Sequence, residues 1–593
     1  MALELTGFSP YTRRGLTPLS WAAKGGHEAV VKMLLERDDV NPNIADSRGQ
    51  TPLSIAIQKG YERVVKMLLE RVDINLNTAT NNGPTPLLIA AGEGHEGIVK
   101  MLLERDDVNP NTANRSGQTP LFIAVSKGHE EVVKLLLERN DVNPDTADRR
   151  WPRSGGGQTP LSIATRKRHE RIVKMLLERV DINPNTVTND GLTPLLIAAG
   201  EGHERIVKML LERNDVDPNI ANPSDQTPLF IAAEKGHEEV VKMLLERIDV
   251  NPNTAERRWP RGGGRQTPLS IAIQKGHERV VKMLLERNDV NPNTAGERGK
   301  APLLIAALKG NERIVTMLLE RADINPNSVN KYGQTPLFGA ALNGHEGVVK
   351  VLLGRVDINP NTAEKNTLTP LSIAIQKEHE RVVEILLERV DINPNAAKKN
   401  GPTPLLIATR LGHEGAVKML LERNDVNPNI ASSDGETPLL RAAWDGHERL
   451  VKMLLERNDI NPNTQDKDGQ TPLFGATWKG REGVVKILLE RSDVNPNTAN
   501  PSGQTPLFIA ARKGRERVVK MLLERVDVNT DMKDLAGETS LSQALNRGNH
   551  TIVKLLSEHR KFTPPSDGDG LTALSSPKPS DPYQRPSKRI RRS

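Results

Sequence analysis

The tripeptide Thr-Pro-Leu recurs fourteen times in this chain of 593 residues, usually with 34 residues from one threonine to the next. Two intervals are 40 residues long, and degenerate copies at Ala301 and Thr539 bring the number of repeats to sixteen. A fixed period over this length predicts one elongated array of stacked units, not several separate globular domains. We expect a lead-in over residues 1–16, the array over residues 17–559, and a tail over residues 560–593 that is disordered because it is rich in Pro, Ser and charge.

Each repeat reads as two short helices and an extended turn. Residues 51–60, Thr-Pro-Leu-Ser-Ile-Ala-Ile-Gln-Lys-Gly, begin with a good helix cap and a proline suited to the first turn, and they end with a glycine suited to the stop. Residues 61–71 are apolar at helical spacing, with glutamate early and arginine late, as the helix dipole favours. The segment that follows is rich in Asn and Gly and predicts a turn, which we call the finger.

The order Gly-x-Thr-Pro-Leu, Ala-Ala, Gly-His-Glu, Val-Val, Leu-Leu and Asp-Val-Asn resembles the ankyrin repeat, in the variety common in long fungal arrays. The resemblance covers residues 12–559 and implies an all-α solenoid of about sixteen repeats. One departure is the family's Gly-Ala before Asp-Val-Asn, which shrinks here to a single residue such as Val180 or Ile248. A β-branched residue disfavours a left-handed cap, so we expect the second helix to end differently from the family norm.

Catalytic and metal chemistry have no candidate residues. The chain has no cysteine, and it lacks the common zinc-protease, phosphate-loop and nucleophile-elbow motifs. Eleven of the thirteen histidines occupy one repeat position, and stacked repeats hold such residues about 10 Å apart, too far to share a metal ion. The resemblance implies that these histidines hydrogen-bond to backbone between repeats. We therefore expect no enzyme activity, no cofactor and no metal.

The formal net charge of +7 is concentrated in residues 560–593, which carry +5, so residues 1–559 carry only +2. Nucleic acid is thus not an expected partner. Neither an export signal nor an apolar stretch of about 18 residues occurs, so we expect a cytoplasmic protein without a membrane segment. The run Lys588, Arg589, Arg591 and Arg592 resembles a nuclear import signal, although such runs also arise by chance and as solvated tails.

The binding surface is expected where the last turns of the first helices vary between repeats. The column that begins at Lys24 becomes apolar and aromatic late, with Trp444 and Trp478 in consecutive repeats. Tryptophan beside arginine is typical of binding hot spots. The alternative is that the two indoles stack on each other and cover the groove floor. The candidate residues of this surface are Trp444, Trp478, Arg410, Arg441, Arg512, Leu308, Leu342 and Leu411.

A neighbouring column is Lys or Arg in ten of sixteen repeats, which favours a partner with an acidic face if the surrounding glutamates do not cancel the field. Trp151 and Trp259 lie in lengthened fingers and are secondary candidates, either exposed for contact or folded back on their own fingers.

The predicted function is that of a monomeric scaffold that binds proteins through the groove of the solenoid. The alternative is the recognition portion of a larger receptor or enzyme whose nucleotide-binding effector domain lies elsewhere. In-frame sequence upstream of Met1 would separate the two.

Overall fold

A computed structural model of the protein describes residues 15–77, 83–149, 156–256, 265–363, 368–397 and 401–562. These residues form 32 α-helices and no β-strand, which confirms the predicted all-α fold. The chain divides into two compact units, Met1–Lys398 and Lys399–Ser593, which we call unit 1 and unit 2. No helix within the described ranges is both long enough and apolar enough to cross a membrane.

Unit 1 contains eleven helix pairs and unit 2 contains five. The helices of unit 1 are α1 (Pro18–Gly25), α2 (Glu28–Leu35), α3 (Pro52–Lys59), α4 (Glu62–Leu69), α5 (Pro86–Glu93), α6 (Glu96–Leu103), α7 (Pro120–Lys127), α8 (Glu130–Leu137), α9 (Pro160–Arg166), α10 (Glu170–Leu177), α11 (Pro194–Glu201), α12 (Glu204–Leu211), α13 (Pro228–Lys235), α14 (Glu238–Glu246), α15 (Pro268–Lys275), α16 (Glu278–Glu286), α17 (Pro302–Lys309), α18 (Glu312–Leu319), α19 (Pro336–Asn343), α20 (Glu346–Leu353), α21 (Pro370–Gln376) and α22 (Glu380–Leu387). The helices of unit 2 are α23 (Pro404–Leu411), α24 (Glu414–Leu421), α25 (Pro438–Asp445), α26 (Glu448–Leu455), α27 (Pro472–Lys479), α28 (Glu482–Leu489), α29 (Pro506–Lys513), α30 (Glu516–Leu523), α31 (Ser540–Asn546) and α32 (His550–Phe562).

Most first helices begin at a capping threonine and end at a left-handed glycine, as the sequence predicts. In α3 the Thr51 hydroxyl oxygen accepts a hydrogen bond from the backbone N–H of Ser54 at 3.2 Å, and proline follows at the first helical position. Gly60 then ends the helix in the left-handed region, with φ at 73°. Arg168 and Glu378 hold the same left-handed position in two other repeats, where glycine is absent. Their side chains add a local backbone strain that the remaining repeats avoid.

The second helix ends without a left-handed residue, which confirms the predicted departure. The α12 helix closes on Glu212 at φ −68° and ψ −19°, and Arg213 then donates Nε and Nη2 to the two carboxylate oxygens of Asp215 at 2.9 and 2.7 Å. The remaining nitrogen, Nη1, donates to the carbonyl of Leu177 in the preceding repeat at 2.6 Å. One arginine thus closes its own helix and ties two repeats together.

Side-chain amides join consecutive fingers into what we call the amide ladder. Asn185 Nδ2 donates to the carbonyl of Asp215 in the next repeat at 2.6 Å, and Asn185 Oδ1 accepts from the N–H of Asp217 at 2.9 Å. Asp145 takes the asparagine position in an earlier repeat: its Oδ2 accepts from the N–H of Asn183 at 2.9 Å, while its buried Oδ1 makes no hydrogen bond. Burial raises the pKa of Asp145, and nearby Asp181 adds to this.

Within each unit, first helices pack on first helices and second helices on second helices of the neighbouring repeat. The core between these layers repeats the same set of apolar residues, of which Leu121, Ala124, Val132, Val133 and Leu136 are at most 1% exposed. Burial of a leucine of this kind stabilises the fold by about 1.5 to 3 kcal/mol. The two layers hold the last turns of the first helices and the fingers on one side of the repeats, where the candidate residues lie.

Candidate functional site

The first helices and fingers of unit 2 enclose an open cleft of about 880 Å³. Seven first-helix residues form one side, which we call the helix wall, and eight finger residues form the other, which we call the finger wall. The helix wall consists of Arg410, Leu440, Arg441, Trp444, Phe474, Trp478 and Lys479. The finger wall consists of Asp434, Glu436, Asp466, Lys467, Asp468, Gln470, Asn500 and Gln504. Four candidates from the sequence, Arg410, Arg441, Trp444 and Trp478, therefore line one cleft.

Trp444 lies at the end of α25 and packs on the next first helix, α27, at Gly475. A Cβ atom at Gly475 would lie 2.8 Å from Cε3 of the indole, closer than real Cβ contacts come. Most repeats have isoleucine at the glycine position, as at Ile509, and the isoleucine side chain would occupy the space that the indole fills. Because Gly475 has no side chain, it leaves the space that the Trp444 indole occupies on the cleft floor.

Trp478 lies one repeat later, at the end of α27, and is partly structural. Its ring is stacked on Phe474, with centroids 6.3 Å apart and an interplanar angle of 20°. It also covers the buried cluster of Phe474, Phe508 and Ile509. Aromatic stacking in the described part of this cleft thus joins an indole to a phenyl ring, and not the two indoles to each other. Each indole is fixed by its own neighbours, and both remain half-buried beside the cleft.

Cationic side chains lie over both indoles. Lys479 Nζ is 5.0 Å from the ring centre of Trp444, Lys513 Nζ is 4.2 Å from that of Trp478, and the Arg512 guanidinium carbon is 5.3 Å from the same Trp478 ring. Contacts of this geometry stabilise by about 0.5 to 1 kcal/mol where solvent reaches the site. Arg512 therefore contacts the cleft through Trp478 without being one of its lining residues.

Glu436 joins two of the candidate arginines. Its Oε2 accepts from Arg410, with Nε at 3.1 Å, and its Oε1 accepts from Arg441 Nη1 at 3.2 Å. Arg441 Nε also donates to Asp445 at 2.5 Å. Burial alone would lower the pKa of Arg441, but the adjacent Asp445 and Glu436 carboxylates outweigh it and raise that pKa. Both arginines are already paired, so a ligand has to compete for them.

Two further candidates, Leu308 and Leu342, lie in unit 1. Leu308 ends α17 and packs over Gly339 of α19, whose added Cβ would lie 3.1 Å from Leu308 Cδ2. The backbone carbonyl of Leu308 accepts from Asn343 Nδ2 at 2.8 Å, and that of Leu342 accepts from a histidine ring nitrogen of the next repeat. The hollow beside Leu308 has a volume of about 140 Å³. Leu411 of unit 2 is 47% exposed and is not among the residues that line the cleft.

Several of the repeated histidines link neighbouring repeats through hydrogen bonds. Five of them donate Nε2–H to a backbone carbonyl of the preceding repeat at 3.1 to 3.2 Å, as His129 does to Gly92. In those repeats this confirms the expectation that the histidines hydrogen-bond to backbone between repeats. In three others, His95, His169 and His203, the buried Nε2 has no partner among the described residues, and burial lowers the pKa of both His169 and His203. Across the described ranges, no group of three or more His, Asp or Glu side chains could hold a metal ion.

The remaining candidates lie outside the described residues. Trp151 and Trp259 of the lengthened fingers are among them, and so are the basic residues Lys588, Arg589, Arg591 and Arg592. The basic column is described: Lys59, Lys127, Lys235 and Lys309 are exposed in unit 1, whereas Lys275 lies 3.6 Å from Glu234.

Reasoning from the sequence missed two residues of the site, Gly475 and Glu436. Both carry a signal that could have been found. Glycine replaces the usual isoleucine only at Gly339 and Gly475, directly after the repeats with Leu308 and Trp444. Glutamate replaces the common glutamine at Glu436, in the repeat that has Arg441 in place of isoleucine. Such paired exceptions in neighbouring repeats indicate contact between the side chains.

A family model agrees with this architecture, and two solved structures share sequence similarity with parts of the chain. The family model described as ankyrin repeats (3 copies) matches residues 3–80, 72–148, 112–188, 142–222, 161–256, 251–330, 303–398, 392–466 and 458–534. A crystal structure of the ankyrin repeat domain of Bcl-3, a member of the IκB protein family, is 25% identical; it aligns over 38% of this chain and 99% of its own, with a TM-score of 0.35. The crystal structure of EF0377, an ankyrin repeat protein, is 29% identical over 33% of this chain and 98% of its own, with a TM-score of 0.31. No curated protein sequence matches this chain.

Proposed function

Because the chain belongs to the ankyrin repeat family, whose repeats are general protein-interaction modules, we propose that it is a non-catalytic scaffold that binds partner proteins through the cleft of unit 2. The observation that carries this proposal is the pair of indoles on the cleft floor, each fixed by neighbouring repeats. Pre-positioned aromatic side chains lose little conformational entropy on binding, so most of their contact energy is retained.

The size of the cleft supports a protein segment as the ligand. About 880 Å³ is within the range of pockets that hold a ligand of several residues' size, and its floor combines aromatic rings with side chains that can hydrogen-bond. Affinity would come from a few anchors on a surface that already exists before binding. The partner segment would place apolar groups against Trp444 and Trp478.

Charge supports a partner with an acidic face at the helix wall. Lys479, Lys513 and Arg512 lie over the two indoles, and Arg410 and Arg441 lie beside them. Carboxylates of the partner would pair with the cations over the indoles, mainly by accelerating encounter. We further propose a monomer in the cytoplasm or the nucleus. We propose proteins, and not nucleic acid, as the partners, since the described repeats place no series of aromatic rings along the exposed lysines for bases to stack on.

The test compares three full-length proteins as baits in lysate of the source cells: the wild type, Trp444→Ala/Trp478→Ala and the matched control Leu308→Ala/Leu342→Ala. The control truncates the equivalent positions of unit 1. Partners retained by the wild type and the control but lost with the tryptophan variant are then purified and titrated. We expect the tryptophan variant to bind at least about 30-fold more weakly, which corresponds to about 2 kcal/mol.

Circular dichroism of all three proteins establishes that the variants are folded. Equal retention of every partner by the wild type and the tryptophan variant would overturn the assignment of the cleft as the binding site.

A further inference from the structure

The finger wall of the cleft is acidic, unlike the helix wall. Glu436 is already paired with Arg410 and Arg441. The fingers at residues 432–436, 466–470 and 500–504 otherwise hold Asp434, Asp466 and Asp468 against Lys467 alone, a net charge of −2. Lys467 lies 3.8 Å from Asp434, whose side chain is 79% exposed, so this pair is weak and open to competition. In unit 1 the finger at residues 330–334 carries Lys331 and no carboxylate. A basic segment therefore finds its complement in unit 2.

The chain itself supplies such a segment. Residues 563–593 contain six Lys or Arg and three Asp, and four of the six basic residues fall within the last six positions, Lys588-Arg589-Ile590-Arg591-Arg592-Ser593. An apolar side chain, Ile590, stands between the two basic pairs. The composition combines charge for the finger wall with an apolar group for the indole floor.

Residues 563–593, which follow α32, are long enough to reach the cleft. The helix α32 has the place of a second helix in the last repeat, and in the preceding repeats the second helix is followed by a finger. From α32 the fingers that line the cleft are two to four repeats away, or about 20 to 40 Å at roughly 10 Å per stacked repeat. Residues 563–593 number 31, and a random coil of that length has an end-to-end distance of about 30 Å and a maximum near 95 Å. The end-to-end distance expected for these residues therefore matches the distance from α32 to the fingers of the cleft.

We propose that residues 588–592 bind the finger wall of the cleft in the same molecule and so compete with the protein partner. This inference rests on the proposed function for its consequence, but the contact itself does not depend on a partner. Bound in an extended form, the run would direct Arg589 and Arg591 toward the finger carboxylates and Ile590 toward the indoles, because an extended chain alternates its side chains. At an effective concentration of about 1 mM, even a free-peptide Kd of about 100 μM would fill the cleft about ten to one and weaken partner binding about tenfold.

The absence of cysteine makes a direct test simple. In the full chain, Ser593→Cys receives a nitroxide label, and Trp21→Phe, Trp151→Phe and Trp259→Phe leave Trp444 and Trp478 as the only indoles. A nitroxide quenches indole fluorescence only at close approach. We expect strong quenching at low salt that falls as salt screens the charges. The same quenching should be largely lost in a neutral-tail variant with Lys588→Gln, Arg589→Gln, Arg591→Gln and Arg592→Gln, and reduced by Asp434→Asn/Asp468→Asn.

Equal quenching in the labelled parent and the neutral-tail variant would overturn the proposal. Quenching that grows with protein concentration would also overturn it, because the tail would then occupy a second copy. The neutral-tail variant should bind a partner about tenfold more tightly than the wild type. If neither the wild type nor the neutral-tail variant binds a partner while the quenching holds, the proposed function fails and this contact stands. If partner binding depends on the indoles without any quenching, the contact fails and the proposed function stands.

Discussion

Two places in this molecule share a backbone and differ in their side chains. In unit 1, Leu308 packs over Gly339 and Leu342 follows; in unit 2, Trp444 packs over Gly475 and Trp478 follows. The first place has a hollow of about 140 Å³ and the second a cleft of about 880 Å³. The repeat accepts either set because the glycine leaves space for the preceding side chain. The surface of such an array therefore changes through a few side chains while the helix pairs stay the same.

The largest expected effect concerns the ion pairs present only at the second place. Glu436→Gln removes the carboxylate that Arg410 and Arg441 share, and we expect a loss of about 2 kcal/mol, less than for a fully buried pair because the arginine side chains are about one third exposed. Glu436→Gln/Arg441→Ile restores the common pattern of the array and should regain most of this loss. Urea unfolding followed by tryptophan fluorescence, with Trp21→Phe, Trp151→Phe and Trp259→Phe in the background so that only Trp444 and Trp478 report, measures both variants.

The matched control is Glu538→Gln, the same change at the same finger position of the last repeat. There the carboxylate accepts from Ser542 and Asn546, and no arginine of the described residues pairs with it. Its effect should be well below that of Glu436→Gln. A double variant less stable than Glu436→Gln alone would contradict the account of the shared carboxylate.

The two glycines should respond differently to the same substitution. Alanine gains about 1 kcal/mol of helix propensity at either position. At Gly475 its Cβ would lie 2.8 Å from a rigid indole, whereas at Gly339 it would lie 3.0 to 3.1 Å from the flexible ends of two leucines. We expect Gly475→Ala to lose about 1 to 2 kcal/mol net and to shift the indole emission. Gly339→Ala should be neutral or stabilising. Equal unfolding midpoints for the two variants would contradict the conclusion that the Trp444 indole needs the space left by Gly475.

A second matched pair lies at the two lengthened fingers, where Asn253 keeps the amide ladder and Asp145 does not. Asn253 Nδ2 donates to the carbonyl of Asp289 at 2.7 Å, whereas the equivalent oxygen of Asp145 is buried without a hydrogen bond. Asp145→Asn should stabilise by about 1 kcal/mol at neutral pH, and Asn253→Asp should destabilise by a similar amount.

This difference should depend on pH in a defined direction. Burial raises the pKa of Asp145 in the folded protein above its unfolded value, so the charged form is disfavoured in the fold. The penalty is present at neutral pH and is lost as the pH falls through the folded pKa. The gap in unfolding free energy between the wild type and Asp145→Asn should therefore close toward pH 4. If the gap widened on acidification, burial of the charged Asp145 carboxylate would not be the cause of the difference between aspartate and asparagine at this position.

The smallest expected effect concerns the cations over the indoles. Lys479→Ala should lose about 0.5 kcal/mol, because the ammonium lies 5.0 Å from the Trp444 ring centre at a site open to solvent. Lys235→Ala in unit 1 is at the same repeat position, inside α13, and has no aromatic ring beneath it in the described repeats, so it should change nothing measurable. Equal effects in urea unfolding would assign the loss to helix propensity instead of to the ring.

Much of this protein is determined by its sequence over short distances. Thr51, Pro52 and Gly60 define a helix through their own backbone preferences, and the 34-residue period copies that helix along the chain, so the fold and the column of candidate residues could be predicted. The sequence also determined that tryptophan and arginine come together late in the array.

Only the tertiary structure decided what those side chains do. Trp444 rests on Gly475 and under Lys479, Trp478 rests on Phe474, and Glu436 holds both Arg410 and Arg441. These contacts join residues of different turns or repeats, and they depend on side-chain direction and on the volume that a neighbour leaves free. The repeat period fixes where a backbone position recurs along the chain. The packing between repeats decides whether that position can hold a side chain as large as tryptophan.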